Sequence, residues 1–313
     1  MNPIAMVGLG RMGANMARRL ARAGITVHGY DAAPGARESL KGESGVHTHA
    51  SLADSVSALR AAQTGRAGII VWLMLPAGDI TEATLTELQG LLVPGDVLVE
   101  GGNSNYLDSQ RRARAAAAAG LHYLDCGVSG GVWGLANGYC LSLGGEADAV
   151  ALVAPFAQAL APTPQTGWLH CGASGSGHFV KMIHNGIEYG MMQSLAEGFA
   201  LLEGRKDLAL PLADIAELWR HSSVVRSWLL DLTAGALAEP GALQALAPHV
   251  SDSGEGRWTV DEAVRQGTPA PVIAASLMSR FDSQGKADTG NRLLSLMRQA
   301  FGGHAVLKRD DAP

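Results

Sequence analysis

The sequence predicts a doubly wound parallel α/β sheet followed by an all-helical C-terminal domain. Three observations carry this. Short apolar runs alternate with amphipathic stretches through the first part of the chain. A glycine pattern, Gly8-Leu9-Gly10-Arg11-Met12-Gly13, sits between the first apolar run and the first helical pattern. From about Ser174 strand-like runs cease, and long helical patterns take over, interrupted by Pro211, Pro240, Pro248, Pro269 and Pro271. The 313 residues suit two domains of ordinary size, placed at residues 1–173 and 174–313.

The elements follow in order. Ile4-Ala5-Met6-Val7 is a short apolar run fit for a buried parallel strand. The glycine pattern opens an amphipathic helix through Met16 and Leu20. Ile25 to Tyr30 is the next strand and ends at Asp31. Strand, Gly-x-Gly-x-x-Gly, helix, strand and acid together predict a Rossmann-type dinucleotide site. The first glycines allow a tight turn and backbone approach to a pyrophosphate, the third lets helix and strand pack closely, and the helix N-terminus favours the anion. A helix is expected over Leu52–Ala62 and a buried strand over Ile69–Leu75, ended by Pro76. Helix Ile80–Leu88, strand Val97–Glu100 and an Ala-rich helix Leu107–Ala119 come next. His122–Cys126 and Tyr139–Leu143 are two more strands. In such a sheet, ligand groups cluster on loops beyond the strands' carboxyl ends. Here these are Leu75-Pro76-Ala77-Gly78, Gly101-Gly102-Asn103-Ser104 and Val128-Ser129-Gly130-Gly131.

Asp31 bears on cofactor choice. A carboxylate there accepts hydrogen bonds from adenosine ribose hydroxyls and repels a 2′-phosphate. The next residues, Ala32, Ala33 and Pro34, offer no arginine to hold that phosphate, so NAD is favoured over NADP. The bland alternative is that Asp31 caps the helix near Pro34.

Composition narrows the classes. A hydrophobic content of 47% is ample for a core, and a net charge of −5 gives no reason to invoke nucleic acid or an anionic membrane. Cys126, Cys140 and Cys171 are odd in number and show no metal-knuckle spacing, which suits small buried hydrophobes in a reducing cytoplasm. No basic n-region or cleavage site precedes the first strand.

The stretch Gly177 to Tyr189 reads as the start of a long helix. Lys181, His184, Asn185 and Glu188 lie three and four apart and form one polar stripe of ammonium, imidazole, amide and carboxylate. Val180, Ile183 and Ile187, on the opposite face, are expected to pack. The Gly-rich run Cys171–Gly177 before it suits close approach to a ligand, and a ligand is expected between the two domains.

These residues bring out a resemblance. The chain resembles the decarboxylating 6-phosphogluconate dehydrogenases, in particular their short NAD-preferring form, within the β-hydroxyacid dehydrogenase superfamily. The likeness covers nearly the whole chain. It rests on Gly8–Gly13, Gly101–Tyr106, Val128–Gly134, Lys181–Tyr189 and Phe301–His304. The glycine pattern and Ser-Gly-Gly are shared across the superfamily. Lys181–Tyr189 is far narrower, because wider relatives have Asn-Asn where this chain has His184-Asn185.

The resemblance implies oxidative decarboxylation of 6-phosphogluconate to ribulose 5-phosphate and carbon dioxide, a step of the pentose phosphate pathway. It implies NAD as cofactor and no metal. Lys181 is implied as the base that takes the C3 hydroxyl proton and then, as an ammonium, polarises the ketone. That role needs its pKa lowered toward about 7–8, which burial and neighbouring cations can do. Glu188 is the implied acid that protonates C1, and Asn185 completes the catalytic set. Gly8, Leu9, Gly10, Arg11, Met12, Gly13, Asp31, Leu75 and Asn103 are implied on the cofactor side. Asn103, Ser129, Gly130, Gly131, His184 and Asn185 are implied against the sugar acid. Tyr189, Arg257 and Arg280 match phosphate ligands, with Arg257 standing where familiar members often have lysine. The long-form C-terminal extension is absent, yet Arg298 and His304 remain. In the family these cross to a neighbouring subunit's phosphate, which implies a homodimer with composite sites; the sequence does not decide between dimer and tetramer. From its residues alone, the tail suits packing on its own domain.

Two rivals are weighed. One is a β-hydroxyacid dehydrogenase acting on a small 3-hydroxy acid without decarboxylation. Arg257, Arg280 and Arg298 argue for a phosphate against it. The other is a dinucleotide-binding sensor without catalysis, against which Lys181 and Glu188 stand.

Overall fold

The computed structural model describes residues 2–65, 68–302 and 305–307. Its first part alternates strand and helix: β1 (Ile4–Val7), α1 (Arg11–Arg22), β2 (Val27–Tyr30), α2 (Pro34–Glu38), β3 (Val46–His49), α3 (Leu52–Ala62), β4 (Ile70–Leu73), α4 (Asp79–Leu91), β5 (Val97–Glu100), α5 (Tyr106–Ala118), β6 (His122–Ser129), α6 (Gly134–Asn137), β7 (Cys140–Gly144), α7 (Ala147–Leu160) and β8 (Trp168–Gly172). Helices follow: α8 (Ser176–Gly204), α9 (Leu212–Trp219), α10 (Trp228–Ala238), α11 (Glu255–Gln266), α12 (Pro271–Ser283) and α13 (Asp288–Gly302). The chain divides into two compact units, Met1–His184 and Asn185–Pro313, and the division falls within α8.

The first unit holds one eight-stranded sheet in the order β3-β2-β1-β4-β5-β6-β7-β8. Alternate strand residues feed two cores. Ile4 and Met6 join Met16 and Leu20 of α1 and Phe156 and Leu160 of α7 on one face. Ala5 and Val7 join Leu59 of α3 and Leu88 of α4 on the other. That two-sided burial is why these strands read as unbroken apolar runs.

The expected Rossmann-type sheet and helical second part are both present, with two differences. The sheet is not wholly parallel, since β7 runs antiparallel to β6. The link between them, Gly130–Tyr139, holds only short helical turns, and parallel neighbours need a longer crossover. The edge strands β3 and β8 were not expected either. β3 is Val46-His47-Thr48-His49, with one buried residue in four, and Leu169 of β8 is exposed. Neither shows the apolar run that marks a central strand.

The β3 edge brings His47 and His49 beside His28 of β2. His28 Nδ1 lies 3.1 Å from His49 Nε2, and the His28 and His47 ring centroids are 5.7 Å apart. Burial, then His49 and His47, push the His28 pKa from 6.5 to about 4. Folded His28 therefore stays neutral where the unfolded chain already takes up a proton, so stability is lost as pH falls from about 6.5 toward 4. In urea titrations at pH 7 and pH 4.5, His28→Leu should remove on the order of 2 kcal/mol of the pH-dependent loss. Equal pH dependence in both proteins would contradict this.

Candidate active site

The glycine loop shows why each glycine stands where it does. Gly8 has φ +91°, and a Cβ there would lie 2.4 Å from the Met74 carbonyl oxygen. A Cβ on Gly13 would lie 1.9 Å from the Gly8 oxygen, so any side chain would push α1 off the loop. Gly10 differs, with nothing within 4 Å of its Cβ position. It is the N-cap of α1, gives no side-chain cap, and is followed by no acidic residue in the first turn. A bare helix N-terminus over open space fits a dinucleotide pyrophosphate.

Asp31 closes this loop from β2. One carboxylate oxygen accepts the Leu9 N–H at 2.7 Å and the other the Ala33 N–H at 2.8 Å. Each oxygen keeps a lone pair for a ribose hydroxyl. Arg37 of α2, outside the three residues weighed in the sequence, donates to the carbonyls of Asp31 and Ala32 at 2.5 and 3.2 Å.

The other expected loops leave the same carboxyl edge of the sheet. Leu75 follows β4, Asn103 follows β5, and Ser129 ends β6. Gly130 has φ +137° and leads into a 3₁₀ turn, Gly131–Trp133. A Cβ on Gly102 would lie 2.4 Å from the Leu75 carbonyl oxygen, so the loops after β4 and β5 touch through backbone. Asn103 is exposed while Gly101, Gly102 and Ser104 around it are buried.

The expected long helix is α8, which carries Lys181, His184, Asn185, Glu188 and Tyr189. Its first turn is seated on β6 and β7 by three glycines. A Cβ on Gly127 would meet the Lys181 Cβ at 2.4 Å, one on Gly144 the Gly177 nitrogen at 2.6 Å, and one on Gly177 the Ser142 oxygen at 2.4 Å. The fully buried Asp125 accepts the N–H groups of Gly175 and His178 at 2.6 and 2.9 Å. It thereby satisfies amides that the helix start leaves without intrahelical partners. In the glycine run before Lys181, where a ligand was expected, Gly177 thus packs against the chain's own strands, and Gly175 lies against Tyr106 and Gln110 of α5. Lys181 Nζ lies 3.5 Å from His184 Nδ1. Lys181 and Glu188, seven residues apart, are separated by about 10 Å along the helix axis.

Of the three α8 residues expected to pack, only Ile183 is even half-buried. Val180 and Ile187 are exposed, whereas Met182, Asn185 and Tyr189 are buried. Within the second unit the contact face runs through glycine instead. A Cβ on Gly186 would lie 2.7 Å from Thr259 Cγ2 of α11, and one on Gly190 would lie 3.3 Å from Val272 Cγ1 of α12. Glycine carries no hydropathy signal, so this face is invisible to apolar periodicity.

The second unit brings three expected phosphate ligands to one segment. Tyr189 Oη accepts the Ser253 N–H at 3.4 Å. Arg280 donates to the Ser251 carbonyl at 2.7 Å, with its guanidinium 3.4 Å from the centroid of the Tyr189 ring. Arg257 holds Asp252 with two hydrogen bonds of 2.9 Å. Those bonds keep the Asp252 carboxyl below the usual carboxylate range. Arg298 stands exposed on α13, and His304 lies outside the described residues.

Two family models cover most of the chain. Residues 3–172 match the NAD binding domain of 6-phosphogluconate dehydrogenase, and residues 177–300 match its C-terminal domain. The chain belongs to the 6-phosphogluconate dehydrogenase family. It is 42% identical over 310 residues to the NAD(+)-dependent, decarboxylating 6-phosphogluconate dehydrogenase of Haloferax volcanii, covering 98% of this chain and 99% of that one. It is 40% identical over 306 residues to the putative 6-phosphogluconate dehydrogenase YqeC of Bacillus subtilis, with coverage of 98% and 99%. The solved 6-phosphogluconate dehydrogenase of Plasmodium falciparum superposes with a TM-score of 0.82 at 25% identity, over 99% of this chain and 67% of that one.

Sequence reasoning did not single out residues that hold these loops and the start of α8: Asp125, His178, Glu100, Arg112 and Arg37. Asp125 and Glu100 did carry a signal, since each is a lone carboxylate in an apolar strand, and such groups are buried only with partners. The seating of α8 is open to test through Gly127→Ala, whose Cβ has no room beside Lys181 and Ser142. Denaturant titration should show a loss of about 1–3 kcal/mol, the usual cost of overpacking. An unchanged midpoint would show that α8 is not seated there.

Proposed function

We propose that this chain oxidises 6-phosphogluconate at C3 and decarboxylates the product, giving ribulose 5-phosphate and carbon dioxide. The cofactor is NAD. The observation that carries the reading is the series of ammonium, imidazole, amide and carboxylate along α8, in a chain that matches both halves of the family over its length.

When bound, NAD supplies the hydride acceptor. Every other task falls to the chain. The open Gly10 turn and the N-terminus of α1 hold the pyrophosphate, and Asp31 accepts from the adenosine ribose hydroxyls. Leu75 and Asn103 flank the cofactor. Lys181, as a neutral amine, takes the C3 hydroxyl proton. As an ammonium it then polarises the C3 ketone, which makes the β-keto acid lose carbon dioxide. Glu188 protonates C1 of the resulting enediol. It lies two helical turns along from Lys181, which suits two groups acting on two carbons of one sugar acid. Asn103, Ser129, Gly130, Gly131, His184 and Asn185 orient the carboxylate and hydroxyls. Tyr189, Arg257 and Arg280 bind the phosphate, and Arg257 does so while shared with Asp252.

The protein is a cytoplasmic homodimer in this reading. Every residue of α13 from Asp288 to Ala300 is exposed, Leu293, Leu294, Leu296 and Met297 among them. A helix that leaves its apolar residues uncovered by its own chain is suited to a second copy. Arg298 and His304 then reach the neighbouring subunit's phosphate.

Lys181→Met should abolish turnover and leave NAD affinity near normal in a fluorescence titration. Retained turnover would sink the base assignment. A Lys181→Met subunit and an Arg298→Ala/His304→Ala subunit should each be poor alone. The isolated mixed dimer should recover roughly half of native activity, since one of its two symmetric sites is intact. A mixed dimer as inactive as its parents would place the tail's action within its own subunit.

A further inference from the structure

Asn103 is displayed at the surface by neighbours that are not. Both residues flanking it are pinned, and both pins belong to one buried ion pair. Glu100 Oε1 accepts the Gly102 N–H at 2.9 Å. Arg112 Nη1 donates to Ser104 Oγ at 2.9 Å and to Glu100 Oε2 at 3.0 Å. Glu100 is 1% exposed and Arg112 is 4% exposed. Arg112 spends the rest of its fork on α4, with Nε and Nη2 donating to Glu82 Oε1 at 3.1 and 2.9 Å. Tyr123 Oη closes the cluster on Glu100 Oε2 at 3.3 Å. Burial works against the charge on Arg112, and Glu100, Tyr123 and Glu82 together outweigh it, so its pKa is raised.

A buried pair of this kind is a poor way to gain stability, because desolvation offsets most of the attraction. What it gives here is geometry. One planar guanidinium fixes the hydroxyl after Asn103, the carboxylate that fixes the amide before it, and the helix that follows Leu75. We propose that Glu100 and Arg112 are positioning residues for Asn103, holding its side chain where nicotinamide and sugar acid meet. This rests on the role given to Asn103 above.

A double-mutant cycle tests it with the full-length enzyme, NAD and 6-phosphogluconate. Arg112→Lys keeps the charge but loses the fork that reaches Ser104, Glu100 and Glu82 together. It should lower kcat/KM by about 10- to 100-fold, the scale of a misplaced contact group. Ser104→Ala removes only the hydroxyl pin, is the gentler variant should Arg112→Lys fold poorly, and should lower kcat/KM by about tenfold. In an Asn103→Ala background, both changes should cost less than about threefold, because groups acting as one unit are not additive. Equal losses in both backgrounds would overturn the proposal and leave the pair a structural one. Full activity in Asn103→Ala alone would overturn the role of Asn103, and the proposal with it.

Discussion

The contact on which the site depends is the seat of α8 against β6 and β7. Gly127, Gly144 and Gly177 strip the side chains from three facing positions, so helix and strands meet backbone to backbone. Asp125, fully buried beneath them, takes up two amides that the helix start leaves over. Without that cap the close approach would bury unpaired N–H groups, each costing about 1–3 kcal/mol. Without the glycines, Asp125 could not reach the amides. The two conditions are met together, and they fix the point from which Lys181 projects. The rest of the polar series follows from helical spacing alone.

A second rule operates at the carboxyl edge of the sheet. Loops there are held by backbone groups and buried charges, so that the residues offered to ligands need not hold themselves. Asp31 secures Leu9 and Ala33. Glu100 and Arg112 secure the neighbours of Asn103. Gly10 is left open above the start of α1. The second unit follows a different plan, with Tyr189, Arg257 and Arg280 gathered about one short segment, Ser251 to Ser253.

Much of this was legible in the sequence because the relevant signals are local. The strand, glycine pattern, helix and Asp31 lie within about thirty residues, the extent of one βαβ unit. The polar stripe from Lys181 to Glu188 is set by helical spacing. What was not legible is non-local or silent. β3 and β8 are edge strands whose polar or exposed residues lack the two-sided apolar run. The antiparallel β7 depends on the length of one connection. The packed face of α8 runs through glycines, while Val180 and Ile187, apolar in sequence, stand exposed. Glu100, Arg112, Asp125 and His178 are brought together only by the fold, so no local pattern marks their partnership.

The central claim is that this arrangement couples oxidation at C3 to loss of the neighbouring carboxylate. The most direct measurement is the stoichiometry of cofactor reduction and carbon dioxide release with NAD and 6-phosphogluconate. The account predicts one carbon dioxide per NADH, with ribulose 5-phosphate as the sugar product. NADH formed without carbon dioxide, or reduction supported by a small 3-hydroxy acid and not by 6-phosphogluconate, would contradict it.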